Sequence, residues 1–218
     1  MAHLEIACFN VESMLIAQES GADRIEFCAD YESGGITPDF ESLSEIKPQI
    51  SIPIFVMIRS RAGDFNYSDK EFETMKSDIK RFKEIADGFV FGILTSDGKI
   101  DVERNSELVK STTLPCTFHR AFDGILDSEL ALEDAIHCGF QNILTSGGIG
   151  NAIDNIKNLT ELVREASGRI TIMPGGGVRS SNIETLLHTT ATWFHSAAIT
   201  GNSETADASE IQKMKSEF

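Results

Sequence analysis

Four arginines follow short apolar runs of this acidic chain and have the chemistry to bind an anion. They are Arg59, Arg61, Arg120 and Arg179. The guanidinium group presents a planar fork of donors that suits a carboxylate or a phosphate. If the apolar runs are parallel strands, their carboxyl ends meet on one rim, and we predict a small anionic ligand there. The alternative is that each arginine pairs with a nearby acid, such as Asp64 or Asp123, and only closes that end of the fold.

A glycine-rich loop, residues 174–181, adds backbone donors to the same predicted site. Its amides at Gly175, Gly176 and Gly177 precede a predicted helix that starts at Ser181-x-x-Glu184. Free amides and the positive end of a helix attract anions, so we predict that this loop holds a phosphate or carboxylate, with Ser146 of TSGG (145–148) as a further donor. Three consecutive glycines are also what a tight turn requires on steric grounds alone.

Two histidines are candidates for proton transfer. His119 and His195 fall in the fifth and eighth predicted strands, and alternation of side chains points both to one face. We predict that His119 acts as general acid or base, with His195 as a second such group or metal ligand, and that Asp123 pairs with Arg120 or orients His119. We expect both imidazoles near a solvent-filled opening, where truncation costs little stability. Each is alternatively a hydrogen-bonded core histidine.

One cysteine is a candidate metal ligand. Cys28 shares parity with Glu26 and is expected to face inward, whereas Cys8 is opposite in parity to Glu5 and should face the helices. A soft Cu(I) ion favours thiolates, although a single cysteine on an apolar strand is more often a packing residue. The four cysteines form no C-x-x-C pair, and we expect reduced thiols.

The elements that would position these residues alternate along the whole chain. Successive strand starts lie roughly 20 to 35 residues apart, as in strand-plus-helix units. The starts are near Leu4, Ile25, Ile54, Phe89, Pro115, Asn142, Ile170 and Thr192. Between them, Ser68-x-x-Glu71 is a capping box followed by an apolar helix face. We predict an α/β protein that is a TIM-type (β/α)8 barrel, with residues 1–218 as its single domain.

Composition limits the classes of function. Lys+Arg 19 against Asp+Glu 34 gives a net charge of −15, which repels phosphate backbones and anionic lipid. With 41% hydrophobic residues, a mean hydropathy of −0.11 and no basic, apolar leader at the amino terminus, we expect a soluble, cytoplasmic protein. Neither nucleic acid nor a membrane is an expected partner.

Several motifs occur in an order that resembles the CutC family, named for copper homeostasis. They are GADRIEFCA (21–29), GGITP (34–38), R-x-R-x-GDFNYSD (59–69), TFHRAFD (117–123), LTSGG (144–148) and MPGGGVR (173–179). The resemblance implies a TIM-type barrel, a cytoplasmic location, self-association into a homo-oligomer and a role as a copper-binding protein. Family members often carry cysteine where this chain has Ala7, so only Cys28 carries over as a copper ligand. The alternative function is an enzyme that acts on a small phosphorylated or carboxylated metabolite.

Overall fold

The computed structural model describes residues 2–201 and 203–218 as an alternation of strands and helices. The strands are β1 (His3–Cys8), β2 (Arg24–Phe27), β3 (Ile54–Met57), β4 (Gly88–Phe91), β5 (Cys116–Phe118), β6 (Asn142–Thr145), β7 (Thr171–Pro174) and β8 (Trp193–Ser196). The α-helices are α1 (Val11–Glu19), α2 (Phe40–Ile46), α3 (Asp69–Phe82), α4 (Val102–Lys110), α5 (Ser128–Cys138), α6 (Ile156–Ala166), α7 (Ile183–Leu187) and α8 (Ala208–Lys215). Short 3₁₀ helices occupy Lys47–Gln49, Arg120–Gly124 and Ala152–Asn155.

The strands form one parallel sheet that curves into a barrel. Its order is β7-β6-β5-β4-β3-β2-β1-β8, and β8 lies beside β7 so that the ring is nearly closed. Each strand leads into a helix, which is the connection that parallel neighbours require. The predicted (β/α)8 barrel is therefore confirmed, and every predicted strand start lies within one residue of the observed start. The carboxyl ends of the strands, and the polar residues that follow them, face the same end of the barrel.

Alternation along the strands creates two apolar regions. Outward side chains such as Leu4, Ile6 and Cys8 pack in the large core between sheet and helices. Inward side chains form a smaller cluster that includes Cys28 and Met57. Because the interior must also hold charged residues from β1 and β2, the centre of this barrel is partly polar rather than wholly aliphatic.

The predicted capping box at Ser68 is present, and it shows how local sequence starts a helix. The Ser68 side chain accepts from the amide of Glu71, and the Glu71 carboxylate accepts from the amide of Ser68. The second predicted box, at Ser181, is wrong. Helix α7 begins after Asn182, and the amide and hydroxyl of Ser180 donate instead to the Glu210 carboxylate of α8, at 2.7 and 2.8 Å. Among the described residues, no helix is both long and apolar enough to span a membrane.

Candidate functional site

A cavity of about 240 Å³ opens at the carboxyl ends of the strands. Its charged and imidazole lining comes from five segments of the chain and consists of Glu26, Arg59, His119, Arg120, Arg179 and His195. Its apolar lining includes Phe9, Met57, Phe65 and Leu144. The cavity therefore combines positively charged groups, two imidazoles and one carboxylate within apolar walls, which is the usual make-up of a small-molecule site.

Arg59 is buried and has no carboxylate partner among the residues that the structure describes. Only 5% of the residue is exposed. Its Nη atoms donate to three backbone carbonyls, those of Ser33, Gly35 and Gly63, at 2.8 to 3.0 Å, and its Nε has no hydrogen-bond partner among the described residues. Backbone carbonyls satisfy donors of both Nη atoms but leave the net charge unneutralised. The predicted pairing of every rim arginine with an acid therefore does not hold for Arg59.

Arg179 resembles Arg59 in this respect. Its guanidinium donates to the carbonyls of Val178 and Ile199 and to the Ser196 hydroxyl, at 2.7 to 3.3 Å, and no described carboxylate forms an ion pair with it. Two arginines without counter-ions thus line one cavity of a chain whose net charge is −15. The local charge is opposite in sign to that of the molecule.

Arg120 differs because Asp123 neutralises it. Arg120 Nε donates to Asp123 at 2.7 Å, and Asp123 also accepts from the Thr145 hydroxyl and the Ser146 amide. The Ser146 hydroxyl lies 3.1 Å from Arg120 Nη2. Of the two roles predicted for Asp123, the structure therefore shows pairing with Arg120, and the described residues show no hydrogen bond between Asp123 and His119. Ser146 supports this pair and does not line the cavity.

Arg61, the fourth predicted arginine, lies outside the cavity. Its guanidinium pairs with Asp64 at 2.8 Å and with Glu71 at 2.6 Å. Glu71 belongs to the capping box of α3, so Arg61 fastens the loop after β3 to the start of that helix. Arg61 is thus the one member of the predicted arginine set that the structure does not bring to the cavity.

The glycine loop contributes two of its three predicted donors. The Gly175 amide donates to the Thr145 carbonyl at 2.9 Å, which extends the hydrogen bonding between β6 and β7 by one residue. Gly176 and Gly177 line the cavity, both at positive φ, and the described residues offer their amides no acceptor. A Cβ atom on Gly176 would lie 2.9 Å from the Arg120 guanidinium carbon, so the absence of a side chain allows this close approach.

His119 follows β5 directly and is buried, with 4% of the residue exposed. Its Nδ1 accepts the Ala121 amide at 3.3 Å, and its Nε2 has no partner among the described residues. Burial, and then the charge of Arg59, lower the pKa of His119 to about 3. The imidazole is therefore uncharged at neutral pH, and because Nδ1 accepts the Ala121 amide its ring proton lies on Nε2, which is a hydrogen-bond donor.

His195 lies on β8 and belongs to a buried charged group. Its Nδ1 is 2.7 Å from Glu5 Oε1, while Arg24 Nε donates to the other Glu5 oxygen. Its Nε2 is 3.7 Å from Glu26 Oε2. Burial opposes the charged imidazole, but Glu26 and Glu5 outweigh it and raise the pKa of His195. His195 and His119 both line the cavity, but only 8% and 4% of these residues are exposed, so neither side chain is freely open to solvent.

Glu26 is the cavity residue that the sequence prediction missed. It is 2% exposed, its Oε2 accepts the Cys28 thiol at 3.4 Å, and its Oε1 has no partner among the described residues. Burial raises the pKa of this carboxyl, and His195 opposes the rise. The sequence did carry a signal for Glu26, namely a glutamate at an inward position of an apolar strand. Such a residue is rarely buried unless it is paired or belongs to a functional site.

Cys28 lies on the inner face of the barrel, whereas Cys8 packs in the core on the other side of the sheet. Burial and the neighbouring Glu26 raise the pKa of the Cys28 thiol well above its usual value, so a copper ion there would have to displace the thiol proton. One further group, Glu5, Glu26 and His195, is close enough to share an ion. Both Glu5 oxygens already accept from Arg24 and His195, and we assign no metal to this group.

The parallel barrel with a small-molecule cavity at its carboxyl-end face defines a TIM-barrel protein. Its sequence is similar to known proteins over nearly its whole length. A model described as the CutC family matches residues 2–200. The chain is 46% identical to the human "Copper homeostasis protein cutC homolog", over 89% of this chain and 72% of that protein. It is 43% identical to a CutC family protein of Photorhabdus laumondii, over 91% and 80% of the two chains.

The structural comparison agrees with the sequence comparison. A CutC crystal structure from Streptococcus agalactiae superimposes with a TM-score of 0.87 at 35% identity, covering 92% of this chain and 100% of that chain. The chain belongs to the CutC family. Thiamine phosphate pyrophosphorylase from Pyrococcus furiosus, with a TM-score of 0.64 at 16% identity over 99% and 94% of the two chains, shares the fold alone.

Proposed function

We propose that this chain is an enzyme that binds a small phosphorylated or carboxylated metabolite in the carboxyl-end cavity. The observation that carries the proposal is the burial of Arg59 without a counter-ion. Taking a charge out of water costs several kcal/mol unless an opposite charge compensates for it. An anionic ligand in the cavity supplies that charge.

The anionic group would lie between Arg59, Arg179 and the amides of Gly176 and Gly177. The two arginines supply uncompensated charge, and the amides supply donors that the described residues leave unused. Arg120 stands beside the loop with its charge shared by Asp123. This arrangement differs from a helix-end site, because Glu210 already accepts from Ser180 at the start of α7.

The proton-transfer groups of the proposed enzyme are His195 and Glu26. Glu5 holds His195 from one side, and Glu26 faces it from the other at 3.7 Å. Burial raises the pKa of the Glu26 carboxyl, which makes it a stronger base than an ordinary carboxylate, and the adjacent imidazole can exchange a proton with it. His119 keeps a role as uncharged donor.

The test is the binding of inorganic phosphate, measured by isothermal titration calorimetry. Arg179→Ala should weaken binding at least about tenfold, because hydrogen bonds to charged groups contribute about 1.5–3 kcal/mol. Arg61→Ala is the matched control, since Arg61 is an arginine of the same rim that points away from the cavity. Equal losses in the two variants, or no phosphate binding by the unmodified chain, would contradict the anion site.

A second proposal is a role in copper homeostasis through copper binding, which the family and the name of the human relative favour. Cys28 is the thiol on the inner face of the barrel. Stoichiometric Cu(I) uptake that is lost in Cys28→Ser and kept in Cys116→Ser would support it. Uptake that is the same in both variants would assign copper to another place.

We also propose a cytoplasmic location and a homo-oligomer. All four cysteines are free thiols, as expected in a reducing compartment. Leu126 is fully exposed and Leu130, four residues further along, is half-exposed, which provides apolar surface for self-association. Light scattering after size-exclusion chromatography should give a mass above 23.9 kDa that falls to this value in Leu126→Asp.

A further inference from the structure

Two buried atoms of opposite hydrogen-bonding character belong to side chains that line the cavity and have no partner among the described residues. One is His119 Nε2, and the other is Glu26 Oε1. Buried polar atoms in folded proteins nearly always have partners, so these two exceptions, with Arg59 Nε as a third in the same cavity, indicate that a ligand satisfies them. The ligand must offer an acceptor to the imidazole and a hydrogen to the carboxylate.

The hydrogen-bonding of His119 determines what it can do. Because Nδ1 accepts the Ala121 amide, the ring proton is on Nε2. The Phe65 ring packs 4.7 Å from the imidazole, and Arg59 opposes a second positive charge. An uncharged imidazole N–H that remains a donor is suited to stabilising negative charge that develops on a carbonyl oxygen.

The surroundings of Glu26 determine its orientation. Oε2 accepts from the Cys28 thiol at 3.4 Å and faces His195 Nε2 at 3.7 Å, and His195 is itself fixed by Glu5 at 2.7 Å. These contacts hold one carboxylate oxygen and leave the other unoccupied. A fixed carboxylate with one free oxygen in an apolar cavity is suited to remove a proton from carbon.

We infer that the substrate is a small carbonyl compound that bears a phosphate or carboxylate, and that Glu26 removes a proton from the carbon beside its carbonyl. This inference rests on the proposed anion site. The C–H bond breaks, and the proton goes to Glu26 Oε1. The bond's electron pair forms a carbon–carbon double bond, and the carbonyl π pair moves to oxygen, which accepts a hydrogen bond from His119 Nε2. Return of a proton from Glu26 to carbon restores both the carbonyl and the carboxylate.

The cavity limits the size of such a compound. A volume of about 240 Å³ corresponds to roughly eight water molecules at about 30 Å³ each, which fits a chain of a few carbons with one anionic group. Met57 and Leu144 provide apolar wall between the polar residues. Apolar walls lower the local dielectric and strengthen the contacts to the developing charge.

The experiment follows deuterium incorporation from D₂O by NMR, with dihydroxyacetone phosphate, pyruvate and 2-oxoglutarate as probes. The unmodified chain should catalyse exchange at the carbon beside the carbonyl of at least one probe. Glu26→Gln should slow this exchange at least about 100-fold, and His119→Phe about 100-fold, while inorganic phosphate still binds. The exposed Glu133→Gln variant is the control and should exchange at the unmodified rate.

The outcomes separate this inference from the proposed function. Phosphate binding without exchange of any probe would overturn the inference and leave the anion site standing. Exchange by Glu26→Gln at the unmodified rate would overturn the role of Glu26. Absence of phosphate binding would overturn both proposals. Glu26→Asp, which keeps the carboxylate, should retain part of the exchange, and circular dichroism of each variant checks that the barrel is folded.

Discussion

The burial of His119 predicts a measurable dependence of stability on pH. Its pKa is about 3 in the folded chain and near 6.5 in the unfolded chain, so protonation at mildly acidic pH favours the unfolded state. The stabilisation is complete above the unfolded pKa and declines as pH falls from about 6.5 towards 3. We choose His119→Gln as the perturbation, because glutamine does not titrate.

The size of the effect follows from linkage. Between about pH 8 and pH 5, the unfolded chain gains nearly one proton at this site and the folded chain gains almost none. At about 1.36 kcal/mol per pH unit over the 1.5 units below 6.5, the unmodified chain should lose about 2 kcal/mol that the variant does not lose. The difference in unfolding free energy between the two proteins isolates His119 from other groups that titrate in this range.

The assay is urea denaturation at pH 8 and pH 5, followed by far-UV circular dichroism for both proteins. At pH 8 the variant should be the less stable protein, because the imidazole packs between buried groups. By pH 5 the gap should shrink or reverse by about 2 kcal/mol. A gap that stays constant between the two pH values would show that His119 binds a proton in the folded chain, and its assignment as an uncharged donor would fail.

Three further predictions concern the same cavity. His195→Gln should destabilise the chain most below pH 6.5, the ordinary pKa of histidine. The difference in unfolding free energy between the variant and the unmodified chain should shrink as pH rises through the raised pKa of His195 in the folded state. Denaturation curves at several pH values measure this difference. Gly176→Ala should weaken phosphate binding, because the added Cβ atom would displace the Arg120 guanidinium. The control is Gly98→Ala, which is also at positive φ but has nothing within 4 Å of the added Cβ atom, and it should lower stability without changing phosphate binding. Equal losses of phosphate binding in the two variants would contradict this prediction. This chain should bind Cu(I) more weakly than relatives with a second cysteine, and Ala7→Cys should tighten binding in a competition titration; unchanged affinity would contradict the geometric reasoning.

The barrel was predictable because its signals are local. Apolar runs that alternate with capped, amphipathic helices identify strands and helices over a few residues each, and Ser68 with Glu71 started its helix as predicted. The Ser181 box shows the limit of such signals. There, the neighbouring Ser180 donates its hydrogen bonds to Glu210, which comes from the far end of the chain, and helix α7 begins only at Ile183.

The sequence by itself determined the barrel, the family and the end of the barrel where polar residues gather, since strand order follows from repeated strand–helix units. Only the tertiary structure decided which of those residues share a cavity and in what charge state. Arg61 pairs with Glu71 away from the cavity, while Arg59 donates to backbone carbonyls inside it and forms no ion pair with a described carboxylate. Charge and pKa depend on burial and on neighbours from distant parts of the chain, as in the contact of His195 with Glu5, and no local pattern encodes such neighbours.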